Sequence, residues 1–218
     1  MEKWGKYIVI EGGDGTGKTT AANGVARVLR EKGHEVIRVD EPDSARSHSG
    51  EELVPIASEI RKILKNGNLQ RSPLTNVLLF HTQRLENWQQ AILPALPSGV
   101  DVVASRNYWS TLAYQGSEEG IDTDWIIELT KRDLGEEYVK PDYGFMLQAP
   151  IEKQLKRISS RGELENPDTF ESKGMNFQEK VAKKYNSIAE EYALEVVDST
   201  KSQEEVLNTI LARLAFLN

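Results

Sequence analysis

The chain has 218 residues, 39% of them hydrophobic and 28% charged, and carries a formal net charge of −7. That composition is globular, and no apolar run approaches the roughly 18 residues that a membrane span needs. A general nucleic-acid surface needs a basic face, so the acidity excludes one, and any phosphate recognition has to be local. Lack of cysteine removes disulfides and thiolate metal sites, while His34, His48 and His81 are too scattered for a zinc centre. The opening Met1–Lys6 carries no secretory pattern, so the expectation is one cytoplasmic domain over residues 1–218.

Strand and helix signals alternate along the chain, which predicts a doubly wound three-layer α/β/α fold on a parallel sheet, with function at the carboxyl ends of the strands. Tyr7–Ile10 reads as a buried strand, followed by a glycine-rich turn and a helix with Ala22, Val25, Ala26 and Leu29 on one face. Glu35–Val39 is a second strand leading into a polar loop from Asp40 to Gly50. A helix with Ile56, Ile60 and Ile63 or Leu64 inward ends at Asn66-Gly67. Ser72-Pro73 caps a longer helix with Leu74, Val77, Leu78, Leu85 and Trp88 at helical spacing, and Pro94 and Pro97 close that region. Val100–Ala104, Tyr143–Leu147 and Leu194–Val197 complete five strands. Further helices start near Asp122, at Pro150, before Phe177, and at Ser202, whose Ser-x-x-Glu spacing to Glu205 is a capping box. The stretch from Ser159 to Asn176 lacks apolar periodicity and reads as a mobile flap.

Gly12-Gly13-Asp14-Gly15-Thr16-Gly17-Lys18-Thr19 fits G-x-x-x-x-G-K-[ST] between the first strand and the first helix. Glycines let backbone N–H groups converge on phosphate oxygens, the helix N-terminus adds positive potential, Lys18 supplies a cation, and the Thr19 hydroxyl suits Mg²⁺. Gly12 to Thr20 are therefore the expected nucleoside-triphosphate-binding residues. Arg157 and Arg161, one helical turn apart at the start of the flap, are candidates to neutralise a transferring phosphoryl group. Arg106 follows the third strand at the ligand-binding edge of such sheets. Phe80 and Arg84, four residues apart, can present an aromatic face and a guanidinium to one planar base.

Taken together these residues resemble the thymidylate kinase family over nearly the full length, a P-loop nucleoside-monophosphate kinase family. The similar blocks are Tyr7 to Thr20, Glu41-Pro42, Glu59 to Leu64, Leu78 to Arg84, and Arg106 with Ser110 to Gly116. The resemblance implies transfer of the γ-phosphoryl group of ATP to dTMP with Mg²⁺ held by Thr19. It further implies that Asp14 approaches the acceptor sugar, that Phe80 stacks on thymine and that Arg84 bonds its edge. Arg106, Ser110, Thr111, Tyr114 and Gln115 would bind acceptor phosphate and nucleoside, Tyr114 disfavouring a ribose 2′-hydroxyl. Because Gly15 stands where other members place an arginine, the similarity implies a catalytic flap arginine, Arg157 or Arg161, beside Lys18. Val197 to Thr200 is similar to the segment near adenine, and the family resemblance implies a homodimer using the helix from Leu74 to Trp88.

This chain departs from the family pattern at several places: Ser105-Arg106-Asn107 replaces Asp-Arg-Tyr or Asp-Arg-His, Asp40 replaces the arginine before Glu-Pro, Asp43-Ser44 stands where many members have two glycines or an arginine, and Asp168-Thr169-Phe170-Glu171 stands where an aspartate-arginine pair is often found. Arg38 or Arg46 is an expected substitute toward the acceptor phosphate. Another deoxynucleotide or deoxynucleoside kinase on the same scaffold is one rival reading. A non-catalytic nucleotide switch is the other, although the chain has no guanine-reading Asn-Lys-x-Asp segment.

Overall fold

A computed structural model describes residues 4–116, 119–160 and 175–217. Among them, strands β1 (Tyr7–Gly12), β2 (Val36–Asp40), β3 (Asp101–Ser105), β4 (Tyr143–Gln148) and β5 (Glu195–Asp198) form one parallel sheet in the order β2-β3-β1-β4-β5. Register pairs Ile8 with Val103 and Ile10 with Phe145. The strands are continuous apolar runs because both faces of the sheet are covered. Alternate residues serve opposite cores: Ile8, Ile10, Val36, Val103 and Phe145 pack with α1 (Lys18–Glu31), while Tyr7, Val9, Val39, Val102 and Ala104 face the other side.

On that second side lie α2 (Pro55–Lys65), α3 (Pro73–Asn87) and short α4 (Leu93–Ala95). They are followed by α5 (Tyr108–Thr111), α6 (Thr123–Leu134) and α7 (Glu136–Val139). Its centre is aromatic, with the Trp88 and Tyr138 rings 5.3 Å apart and Tyr7 5.9 Å from each. The remaining helices are α8 (Ile151–Ser159), α9 (Met175–Glu191) and α10 (Gln203–Arg213). Ser159 closes α8, Ser160 caps it, and Met175 and Asn176 already belong to α9; the rest of the expected flap, residues 161–174, lies outside the described residues.

Expected caps are present where side chains satisfy orphan N–H groups. Ser72 accepts from Thr75 N at 3.2 Å, Asp122 from Asp124 N at 2.9 Å, and Ser202 with Glu205 forms the reciprocal capping box. Two inward faces differ from expectation. In α2 the buried positions are Ala57, Ile60 and Leu64, whereas Ile56 and Ile63 are 47% and 41% exposed. In α3, Val77 is buried and Leu74 and Leu78 face outward. A helix with apolar residues on more than one side leaves its inward face to be chosen by tertiary fit, and α2 turns the small Ala57 inward. Nor do Pro94 and Pro97 close the region after Trp88. The helical run passes from a π turn at Trp88–Ile92 into α4, with Pro94 in its first turn, and through a 3₁₀ turn at Leu96–Ser98 that contains Pro97, until Gly99 ends it at φ 79°.

The end of α2 is held by one side chain. Arg71 Nη1 donates to the carbonyls of Ile63, Asn66 and Leu69, and Nη2 to that of Leu64, which satisfies orphan acceptors and complements the helix dipole. Arg71→Ala should therefore lower the unfolding free energy by about 1–3 kcal/mol, read by urea denaturation. An unchanged midpoint would contradict this clamp.

Candidate active site

The segment after β1 folds into a tight loop because its glycines take left-handed backbone, φ 78° at Gly15 and 93° at Gly17. At Gly15 a Cβ would stand 2.5 Å from the Gln154 carbonyl oxygen, so α8 packs against a loop with no room for a side chain. Lys18 Nζ donates to the Gly13 carbonyl at 2.7 Å and approaches Asp14 at 3.8 Å. The Thr16 hydroxyl also donates to Gly13 at 2.8 Å, and the Thr19 hydroxyl reaches Asp40 at 3.2 Å.

Next to this loop, β3 delivers Arg106 in a left-handed conformation with φ 74°. Its Nη1 donates to Ser110 Oγ at 3.1 Å and Tyr185 Oη at 3.3 Å, and its Nη2 donates to Asp14. Asp14 also accepts from Tyr114 Oη at 2.8 Å. Beneath this group Glu11, fully buried, accepts from Asn107 N at 2.8 Å and Ser110 Oγ at 2.9 Å.

A second buried carboxylate organises the far wall. Glu41 accepts from Arg84 Nε at 2.6 Å and Tyr138 Oη at 3.0 Å. Arg84 also donates to Thr111 Oγ1 at 2.7 Å and to the Asn107 carbonyl at 3.0 Å. Phe80, one turn earlier on α3, lies 5.7 Å from the Arg84 guanidinium carbon. Between the walls opens a cleft that faces solvent. Gly15, Gly17, Lys18, Thr19 and Thr20 line it on one side, Phe80, Arg84, Thr111 and Gln115 on another. Gln115 Nε2 is buried without a hydrogen-bond partner among the described residues.

The structure thus brings Asp14, Lys18, Thr19, Phe80, Arg84, Arg106, Ser110, Thr111, Tyr114 and Gln115 into one cleft. Gly12, Gly13 and Thr16 belong to the loop behind it. Arg157 lies beside the loop, donating to the Gly15 carbonyl at 3.2 Å and the Ser199 carbonyl at 2.8 Å, and Arg161 lies outside the described residues. The expected substitutes Arg38 and Arg46 are not among the residues lining the cleft. Arg38 is buried on Asn23 and the carbonyls of Val39 and Val103, and Arg46 is exposed on a β-bridge; Arg61 and Lys65 of α2 line the cleft instead. Their i, i+4 spacing was the available signal. Sequence reasoning also missed Glu11, Tyr138 and Tyr185, whose partners lie many residues away along the chain.

Burial and the Arg106 guanidinium push Lys18 down to about 7, against the opposing pull of Asp14, Glu11 and Asp40. For Asp14, burial acts upward but is outweighed by Arg106, Lys18 and the Tyr114 hydroxyl, leaving it at about 2. The site therefore holds a fixed anion beside a cation whose charge answers to what binds.

Residues 10–210 match the family model for thymidylate kinase. The chain is 31% identical over 218 residues to a thymidylate kinase of Chlorobaculum parvum, covering 96% of this chain and 95% of that one. It is 32% identical to a probable thymidylate kinase of Pyrococcus horikoshii, covering 95% of each, and 32% identical to a thymidylate kinase of Geobacter sulfurreducens, covering 94% of each.

Free Lys18 releases its proton above about pH 7, and a bound polyphosphate favours the charged form, so nucleotide binding should take up protons from about pH 7 to 9. Calorimetry in buffers of different ionisation enthalpy measures this uptake. Zero proton exchange across that window would contradict the depressed Lys18.

Proposed function

The chain belongs to the thymidylate kinase family of ATP-dependent nucleotide kinases, and from that premise we propose that it phosphorylates dTMP to dTDP in this cleft. The observation that carries the reading is the meeting of phosphate-loop residues with Phe80, Arg84, Arg106 and Tyr114 around a single opening. Donor phosphates lie on the backbone N–H groups of Gly13 to Thr20, and Lys18 offsets their charge. The Thr19 hydroxyl, a hard oxygen donor exposed on the loop, fits Mg²⁺, which supplies charge neutralisation to the phosphates when bound.

On the acceptor side, Phe80 stacks on the thymine ring. Arg84 commits three of its five N–H groups to Glu41, Thr111 and Asn107, and the others serve the base edge. Gln115 Nε2 supplies a further donor at the wall of the cleft. Asp14 approaches the deoxyribose, and Tyr114 disfavours a ribose 2′-hydroxyl there. Arg106, with Arg61 and Lys65, binds the 5′-phosphate in line with the donor.

Arg157 ties the loop carbonyl of Gly15 to that of Ser199 beside the phosphate loop, and Arg157 or Arg161 is the flap cation assigned to the transferring phosphoryl group. Exposed Ile56, Ile63, Leu74 and Leu78 on the contacting pair α2 and α3 support a homodimer through these helices. The whole chain acts as one cytoplasmic catalytic unit; among the described residues, no helix is long and apolar enough to cross a membrane.

A coupled ADP-release assay across dTMP, dAMP, dGMP, dCMP and thymidine tests the reading. We expect dTMP to have the highest kcat/KM, and Phe80→Ala to lower it through KM by about tenfold or more, the worth of one base stack. Equal use of all monophosphates, or faster turnover of thymidine than of dTMP, would overturn the assignment.

A further inference from the structure

We infer that Asp40, at the carboxyl end of β2, is the carboxylate that holds the divalent cation of the nucleotide in this chain, acting with the Thr19 hydroxyl. This rests on the reading that nucleotide phosphates occupy the loop. It begins with strand periodicity. Val36 packs in the core beside α1, and Arg38, two residues on, donates through Nε to Asn23 of α1 at 3.0 Å. Asp40, two residues further, lies on the same face and arrives at the first turn of α1. There its Oδ1 accepts from Thr19 Oγ1 at 3.2 Å, and Arg38 stands 3.8 Å away.

The other acidic residues that line the cleft are already committed. Asp14 is held by Arg106 and Tyr114, and Glu41 by Arg84 and Tyr138. Asp40 differs from both. Its side chain is 45% exposed, it lines the cleft, and its cleft-side contact is the hydroxyl of the phosphate loop. Ser105, its partner in register on β3, is buried and uncharged, so the adjoining strand end offers no competing carboxylate.

Magnesium suits such a place. It binds nucleotides through one or two protein oxygens, completing its shell with phosphate oxygens and water. Asp40 and Thr19 would hold the ion between them, and their present hydrogen bond puts both oxygens at one place at the cleft.

The test is a Mn²⁺ titration followed by electron paramagnetic resonance on the full chain with ADP and no acceptor, so failure of the acceptor reading leaves it unaffected. Asp40→Asn should weaken Mn²⁺ binding by about tenfold or more, while ADP affinity without metal is kept. Asp40→Glu, which preserves the carboxylate, should retain most of the affinity. Mn²⁺ binding by Asp40→Asn indistinguishable from wild type would overturn the proposal. Equal losses in both variants would also overturn it, because they would trace to packing and not to charge.

Discussion

A carboxylate with no exposed surface, Glu11, governs the geometry around it. A buried charge is tolerable only when its lone pairs are satisfied, and Glu11 finds its donors in the backbone N–H groups of Gly12 and Asn107 and in the Ser110 hydroxyl. Those donors sit on both sides of the boundary between β1 and β3. The chain leaves these strands in opposite directions, and ligands bind at such switch points. Satisfying Glu11 therefore draws the turn after β3 up against the phosphate loop. The left-handed Arg106 is one consequence, a strain of about 1–3 kcal/mol for a non-glycine residue. Its charge-assisted contact with Asp14 helps to offset that strain.

Glu41 does at the end of β2 what Glu11 does at the end of β1. It draws in Arg84 from α3 and Tyr138 from α7, and Arg84 in turn reaches Thr111 and the Asn107 carbonyl. Asn107 is thus shared between the two networks, giving its N–H to Glu11 and its carbonyl to Arg84. The two walls of the cleft are coupled through one residue of backbone. Donors and charges fixed in this way need little rearrangement when substrate arrives, which is the economy of a preorganised site. Arg71 extends the same logic outward, holding the end of the helix that brings Arg61 and Lys65 to the cleft.

What the sequence made legible was local. The phosphate loop, the Ser72-Pro73 start of α3 and the Ser202–Glu205 capping box each complete their physics within a few residues, and each stands where the spacing placed it. The five strands were readable because burial on both faces makes them continuous apolar runs. Illegible parts depend on partners far along the chain: Tyr185 reads as an ordinary core position of α9, yet its hydroxyl meets Arg106 and Ser110. Ile56 and Ile63 match a helical period as well as Ala57 and Leu64 do, and only packing between α2 and α3 chooses between them. Asp40 looked like a lost arginine; its neighbour in space, Thr19, belongs to another element.

The central claim is that the acceptor lies between the Glu11 and Glu41 networks, base on Phe80 and phosphate toward Arg106. A crystal structure of the complex with dTMP tests it most directly. The account predicts the thymine ring stacked on Phe80 at a centroid separation of about 4–6 Å, with the 5′-phosphate on the Arg106 side of the cleft. Density for dTMP in a second hollow, lined by Gln148, Gln178 and Asp198, with the Phe80 cleft unchanged, would contradict it.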